Sequence, residues 1–409
     1  MVTWRNLSRA LAAGAPTSGS DPYTTSGPSS REHRERTRSG AEGQGGCFGA
    51  GAPKDHTSRT ENHCSAHSGG RIETSRPLRP WSLHGRGGLR CSGVELTDRW
   101  VAVLSGGLSH ERDISLRSGR RLSAALRSAG LTVTEQDADH DLLHRLRNER
   151  PDAVLVALHG GEGENGAIQS ILELLDIPYV GTDSRACRRA WDKPTAKAEL
   201  ARAGLNTPDW MVLPQSTFRE LGAQPVLDAL VDKMGLPLML KPVQGGSALG
   251  ARVVRERAEL PSAMMGTFAY GDTVLAEKLV EGTEIAIGVV EDSDGPHALP
   301  PVRIEPSNGI FDYTARYTAG LTSYQAPAEL SAEATAEASE LAVSAHRLLG
   351  LRDISRTDAI VDAAGRVHFL EVNVSPGLTK TSLLPMTIEA AERSVGDVFS
   401  KLVERAIRS

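Results

Sequence analysis

Three residues near the C-terminus have the types and spacing to hold a hard cation. In VHFLEVNVSPGLTKTSLLP, residues 367–385, Val367 to Val372 form a short β-rich run whose one acidic residue is Glu371, with Asn373 two positions later. Positions two apart on a strand project to the same face, so a carboxylate and a carboxamide share one surface. Mg²⁺ takes a few such oxygens together with the oxygens of a substrate phosphate. Upstream, ISRTDAIV supplies Asp358, and Asp362-Ala363-Ala364-Gly365 has the composition of a tight turn. The two runs then form a hairpin in which Asp358 faces Glu371, making Asp358, Glu371 and Asn373 the candidate metal ligands. A second stretch, PLMLKP, ends in Lys241 and runs into Gln244-Gly245-Gly246-Ser247-Ala248-Leu249-Gly250. It is either a hairpin turn or a phosphate cradle of backbone N–H groups with the lysine as point charge. Because the lysine precedes the glycines, it is not a GxxxxGK[ST] loop.

The 409 residues allow one large core or two to three domains. No apolar run reaches the ~20 residues of a membrane helix, and the N-terminal MVTWRNLSRALAAGA lacks the sustained apolar stretch of a secretory signal. These features predict a cytoplasmic protein with no membrane partner. Residues 1–97 carry 13 Lys and Arg against 8 Asp and Glu, so the net charge of −5 leaves the remainder strongly acidic, a poor match to nucleic acid. That N-terminal stretch is rich in Gly, Ser, Arg, Thr and Pro and has no periodicity. It predicts a disordered extension, and His56, His63, Cys64 and His67 within it lack a core to organise them around a metal. Cys187 is the one cysteine beyond residue 97, and no disulfide framework or paired-Cys zinc pattern is present.

Order is predicted from Trp100. WVAVL, a helix with Leu116, Leu122 and Leu126, a strand at 131–135, a helix with Leu142, Leu143 and Leu146, and AVLVAL make a βαβαβ pattern, hence a parallel sheet. Ligands bind such sheets beyond the carboxyl ends of the strands. The loops holding Glu111 and His159 therefore border one pocket. A helical region at 185–203, the strands TVLAEKLV, EIAIGVV and ALPPVRIEP, a long irregular segment at 307–327, an alanine-rich helix at 331–349 and a final helix at 388–407 complete the reading. The irregular segment, with Phe311, Asp312, Tyr313, Arg316 and Tyr317, has the length of a lid.

Residues 100–409 resemble the D-alanine:D-alanine ligase family of the ATP-grasp superfamily. The resemblance is carried, in the family's order, by VLSGGLSHERDIS, ALHGGEGENGAIQSILELLDIPYVG, WDK, LKPVQGGSALG, AEKLVEGTE, FDYTARY, SRTDAIV and LEVNVSPGLTKTSLLP. It implies an α/β and α+β fold: a parallel βαβ domain at 98–182 carrying the first-substrate loops, a central ATP-grasp unit at 183–277, and a C-terminal unit at 278–409 with metal site and lid. ATP would lie between the two units. Lys193 and Lys241 would meet its phosphates, Glu277, Lys278 and Leu279 its adenine, Glu284 its ribose, and Asp358, Glu371 and Asn373 would hold two Mg²⁺ or Mn²⁺. Arg316 would stand in the nucleotide site where lysine is usual. Glu111 would take the ammonium of the first D-alanine, with His159 beside it. Arg356, the N–H of Gly377, Ser382 and Leu383 would take the second D-alanine and the oxyanion, while Ser247 and Tyr317 join Glu111 in a set that closes the lid.

The implied reaction is ATP-dependent ligation of two D-alanines through an acyl phosphate, for peptidoglycan precursors, by a cytoplasmic homodimer. A sibling ligase for other amino or hydroxy acids is the alternative, and a catalytically silent nucleotide-binding protein is a third reading that the intact metal ligands oppose. Tyr317 favours amide formation, since relatives that make D-alanyl-D-lactate look to have lost that hydroxyl. Ala248 where a second serine is usual, Gly245 where a larger residue is common, and Phe311 where tyrosine is common are departures from the pattern, and the 97-residue extension has no counterpart in the family.

Overall fold

The computed structural model describes residues 99–307 and 309–408. The predicted disordered extension and its histidines lie outside the described residues.

The first sheet is parallel. Strand β1 (Trp100–Ser105) has Val101 to Leu104 fully buried, as expected for a parallel strand covered on both faces. Helix α1 (Arg112–Ser128) crosses to β2 (Thr132–Asp137), α2 (Leu142–Glu149) to β3 (Ala153–Val156), and α3 (Ala167–Leu174) to β4 (Tyr179–Val180). The order is β2-β1-β3-β4. β4 has only two residues, too few for a readable alternation. The buried stripe of α1 mixes serines, Ser115, Ser118 and Ser123, with the apolar Ile114, Leu122 and Leu126. Gly119 lets the helix lie close: a Cβ there would stand 2.6 Å from that of Ser105.

The predicted single helix at 185–203 is two, α4 (Ser184–Trp191) and α5 (Lys193–Arg202). Asp192 breaks it in an extended conformation and caps α5 by accepting the Thr195 N–H at 3.0 Å, with Pro194 in the first turn where no N–H is missed. Both helices pack against the third sheet, through Ala190, Ala196, Leu200 and Phe369.

The second sheet is antiparallel. It comprises β5 (Trp210–Pro214), β6 (Leu238–Pro242), β7 (Arg252–Val254) and β8 (Thr273–Lys278) in the order β5-β8-β6-β7, with α6 (Gln215–Leu221) and α7 (Ala223–Met234) between β5 and β6, and α8 (Leu260–Phe268) between β7 and β8. Phe218, Leu230, Met264 and Phe268 of these helices cover one face. The other faces a cleft.

The third sheet forms the opposite wall. Following β9 (Gly282–Asp292), the single strand expected from ALPPVRIEP divides into β10 (Gly295–Ala298) and β11 (Val302–Pro306), because Pro300 and Pro301 have no N–H for a ladder. The segment expected to be irregular contains α9 (Tyr313–Tyr317), capped by Asp312, and β12 (Thr322–Gln325). Then come α10 (Ala332–Leu348), capped by Ser331, β13 (Ile354–Asp362) and β14 (Val367–Asn373), giving the order β12-β11-β9-β13-β14 with β10 on β9. The final helix is also two, α11 (Leu383–Ala390) and α12 (Val395–Arg408), parted at Glu392, which takes a left-handed φ of 55°. α12 returns to the first sheet, where Val398, Phe399, Leu402 and Val403 share a core with Leu122, Leu126 and Leu155.

Candidate active site

The hairpin forms as expected, with Gly365 N–H closing the turn on Asp362 O at 2.9 Å. Asp358 lies opposite Glu371 and Arg356 opposite Asn373, which places all four side chains on one face. Arg356 and Asp358, 6% and 3% exposed, make a forked pair at 2.7 and 2.8 Å. Asp358, then Glu371, hold the guanidinium above its ordinary range, against the pull of burial. Glu371 approaches Lys193 at 3.4 Å, and Asn373 Oδ1 accepts the Ser375 N–H at 2.8 Å. Burial alone would raise Glu371, but Lys193, Lys241, Arg316 and Arg356 bring it down to about 2.

Asp358 and Glu371 border the larger of two adjoining cavities, about 490 Å³ between the second and third sheets, whereas Arg356 and Asn373 line the smaller. Lys193, Lys241, Glu277, Lys278, Leu279, Glu284, Arg316, Asp358 and Glu371 all line it. Lys193 Nζ donates to Gly245 O at 2.7 Å, which ties α5 to the glycine loop. Arg316 stacks over the Phe311 ring, 4.1 Å from its centroid. Glu284 is pushed up to about 7 by burial, with Asp358 and Glu371 adding to the rise and Arg316 opposing it. Two of the adenine candidates are already engaged. The Leu279 N–H is donated to Pro237 O, and the Glu277 carboxylate is held by Lys241 and, at 2.7 Å, by Lys197. Val280, beside Leu279, also lines the cavity.

Lys197 was not singled out from sequence. It is fully buried, donates to Thr207 Oγ1 at 2.5 Å, and sits 5.2 Å from the centroid of the Trp210 ring. Burial brings it down to about 8 despite Glu277. Conversely, Lys241 and Lys197 outweigh burial at Glu277 and keep it ionised. The available signal was its i+4 spacing from Lys193 on one helix, which puts both lysines on the same face.

The second cavity is small, about 70 Å³, and is lined by Glu111, His159, Glu164, Ser247, Tyr317, Arg356, Asn373, Gly377, Ser382 and Leu383. Phe311 and Arg316 line both cavities. Ser247 Oγ donates to Glu111 Oε1 and meets Tyr317 OH at 2.5 Å, so the set of three expected from sequence is brought together from the first sheet, the glycine loop and the lid. Ser247 and Ala248 reach this position with φ of 52° and 55°, in the left-handed region that side chains disfavour. The His159 ring lines the same cavity as Glu111 and is held by other partners: Nδ1 is 3.0 Å from Ser375 O and Nε2 2.7 Å from Ser118 Oγ. Glu164, also not singled out from sequence, accepts the Gly160 N–H at 2.9 Å. Burial, then the nearby Glu111, pushes it up to about 8.

A cleft between two antiparallel sheets, walled by lysines and carboxylates and opening on a second polar pocket, is the architecture of the ATP-grasp fold. The D-alanine–D-alanine ligase of Coxiella burnetii shares that fold, with a TM-score of 0.65 at 24% identity over 76% of this chain and 94% of its own. The family described as D-ala D-ala ligase C-terminus matches residues 200–408, and its N-terminal counterpart matches residues 131–182. The chain is 39% identical to the D-alanine–D-alanine ligase of Nitrosomonas europaea over 74% of its length and 96% of the relative's. The corresponding protein of Pelotomaculum thermopropionicum is 36% identical, over 76% and 97%. The Bacillus anthracis D-alanine–D-alanine ligase complexed with ATP superimposes with a TM-score of 0.63 at 29% identity, covering 76% of this chain and 97% of its own. The chain belongs to the D-alanine–D-alanine ligase family.

Proposed function

We propose that this chain joins two D-alanine molecules into D-alanyl-D-alanine at the expense of ATP, supplying a peptidoglycan precursor. The observation that carries the reading is the junction of the two cavities at Arg316 and Phe311 beneath the Glu111–Ser247–Tyr317 set, a nucleotide-sized space opening on an amino-acid-sized one. ATP lies in the larger space with its phosphates toward Lys193, Lys241 and Arg316. Glu277 and Lys278 line the adenine end, with Leu279 as packing surface, and Glu284 faces the ribose. In the smaller space Glu111 takes the ammonium of the first D-alanine, and Ser382 and Leu383 border the second.

The first D-alanine carboxylate oxygen attacks the γ-phosphorus, the bond to ADP breaks, and an acyl phosphate results. The uncharged amine of the second D-alanine then adds to the acyl carbon. Negative charge that develops on the carbonyl oxygen meets Arg356 and the Gly377 N–H, donors already oriented by Asp358 and by the loop. Phosphate leaves, and the amine proton is lost as the amide forms. The lid residues keep water from the acyl phosphate.

Asp358, Glu371 and Asn373 suit one or two Mg²⁺ or Mn²⁺ ions. No three His, Cys, Asp or Glu side chains gather at ligand spacing among the described residues, but two carboxylates and an amide on one face fit an ion that completes its shell with phosphate oxygens. Burial is the main cause of the raised Glu284, and the added push from Asp358 and Glu371 is the part that a cation held by those two would relieve. When bound, the metal supplies positive charge against the phosphate oxygens. No helix among the described residues is long and apolar enough to cross a membrane, and we take the enzyme to be a cytoplasmic homodimer, which light scattering on the purified chain would check.

The test is to incubate the chain with Mg²⁺-ATP and a panel of D-amino acids, L-amino acids and D-lactate, following phosphate release and product mass. D-Alanyl-D-alanine is expected as the main product. Turnover with another acid and none with D-alanine would overturn the reading.

A further inference from the structure

Helix α1 lies outside the hairpin and glycine-loop machinery, yet two of its side chains grip the loop that leads into Ser382. Ser118, fully buried, has its Oγ 3.0 Å from the Leu378 N–H and 2.7 Å from His159 Nε2. Hydrogen-bond direction follows from the partners. Ser375 O can only accept, so His159 Nδ1 carries the proton and Nε2 is the acceptor. Ser118 O–H therefore donates to Nε2, and its lone pair receives the Leu378 N–H. Every group in this chain is used once, so it defines a single geometry for residues 375–378. Burial, which brings His159 down to about 4, keeps the ring neutral and able to accept.

One turn further along α1, Arg121 donates to Thr379 O at 2.5 Å and to Leu378 O at 3.4 Å, and its other amino group meets Glu389 at 2.9 Å. Arg121 is 27% exposed and lines neither cavity. The loop is also tied beyond β3 by Ser375 Oγ, which donates to Leu158 O at 2.8 Å, and to itself: Ser382 Oγ accepts the Thr379 N–H at 3.0 Å, and a Cβ on Gly377 would stand 2.7 Å from that oxygen.

We propose that Ser118 and Arg121 are positioning residues that set the second-substrate loop, Ser375 to Ser382, from the first domain, with His159 as the pin between Ser118 and Ser375. The proposal rests on the assignment of that loop to the second D-alanine. Glu111, the proposed partner of the first substrate's ammonium, is reached through the His159 backbone and not its ring: Ser109 Oγ accepts the Glu111 N–H at 3.1 Å and donates to His159 O at 2.6 Å, and Arg121 contacts neither. Losing the Arg121 contacts should therefore move one amino-acid site and spare the other.

The experiment is steady-state kinetics at saturating ATP over a wide D-alanine range, which resolves a Michaelis constant for each site. Arg121→Ala and Ser118→Ala are compared with Ser382→Ala as a benchmark and Arg120→Ala, an exposed neighbour on α1, as control. Arg121→Ala and Ser118→Ala are each expected to raise the second-site constant about tenfold, the scale of one charge-assisted or buried hydrogen bond. The first-site constant and the KM for ATP should change less than twofold, a split between Michaelis constants that general loss of folded enzyme does not produce. If Ser382→Ala raises the second constant and neither helix variant does, the proposal is overturned while the site assignment stands. If Ser382→Ala leaves that constant unmoved, the assignment fails and the proposal falls with it.

Discussion

The two adjoining cavities are built by different means. The larger is a gap between sheets, with walls set by strand register and with charges held by partners behind the wall: Lys241 by Glu277, Glu277 by Lys197, Lys197 by Thr207. The smaller has no continuous wall of its own. It exists where Glu111, Ser247, Tyr317, Arg356 and Gly377 come together from separate loops and strands, with Ser247 hydrogen-bonded to both Glu111 and Tyr317. A site framed by strands tolerates loss of one lining contact, whereas a site made of mutual contacts changes shape when one is removed. The nucleotide side should respond to substitutions by weaker ATP binding, the amino-acid side by slower chemistry or a raised D-alanine constant.

The contrast is tested most severely at Arg356, which belongs to the smaller cavity but is oriented by Asp358 of the larger. Arg356→Met removes the charged donor proposed for the oxyanion and leaves Asp358 without its fork, and kcat should fall about 10²- to 10³-fold with the KM for ATP changing far less. An equal rise in every KM with kcat retained would place Arg356 in binding alone.

Next in size is Lys197→Met. Lys241 would then be the sole cation on Glu277 and would be drawn back from the phosphates, so the KM for ATP should rise about tenfold, on the scale of one charge-assisted hydrogen bond. Both D-alanine constants should hold. Thermal melting should show a loss of stability as well, since a buried carboxylate keeps only one of its two partners.

Tyr317→Phe breaks the lid's contact with Ser247. The expected effect is about fivefold in kcat/KM for D-alanine, the scale of one neutral hydrogen bond, with ATP binding measured by calorimetry unaltered. A variant indistinguishable from the parent in both assays would separate the lid hydroxyl from the reaction.

The smallest effect concerns Glu164. Its folded-state value of about 8 lies above the ordinary 4.5, so the folded chain holds a proton that the unfolded chain has lost across that interval. Stability therefore falls as pH rises from about 4.5 to 8. Glu164→Gln, which cannot ionise, should melt a few degrees above the parent at pH 8 and close to it at pH 5, on a scale of about 2–4 °C per kcal/mol. A difference of the same size at both pH values would mean that the gain is not electrostatic.

Sequence pattern carried the hairpin and the parallel sheet because both write their structure locally: short β-rich runs mark β13 and β14, a four-residue turn joins them, and the pairing of Asp358 with Glu371 follows. The Glu111–Ser247–Tyr317 cluster was legible only through family resemblance, since nothing local links residues separated by 136 and 70 positions. The break at Asp192 was hidden for a different reason. Apolar residues continue through it, and the capping aspartate and following proline had to be weighed against an otherwise unbroken helical stretch. His159 shows the limit most clearly. Its placement at the end of β3 was right, but where the ring points is decided by Ser118 and Ser375, from α1 and from beyond β14, which no local spacing reveals.

The central claim is that the two cavities are joined by an acyl phosphate passing from one to the other. D-Alanine labelled with ¹⁸O in its carboxylate, turned over with Mg²⁺-ATP and analysed by ³¹P NMR and mass spectrometry, tests this directly. The account predicts D-alanyl-D-alanine and inorganic phosphate carrying one ¹⁸O per turnover, because the attacking carboxylate oxygen leaves with the phosphoryl group. Dipeptide formed with unlabelled phosphate would contradict it.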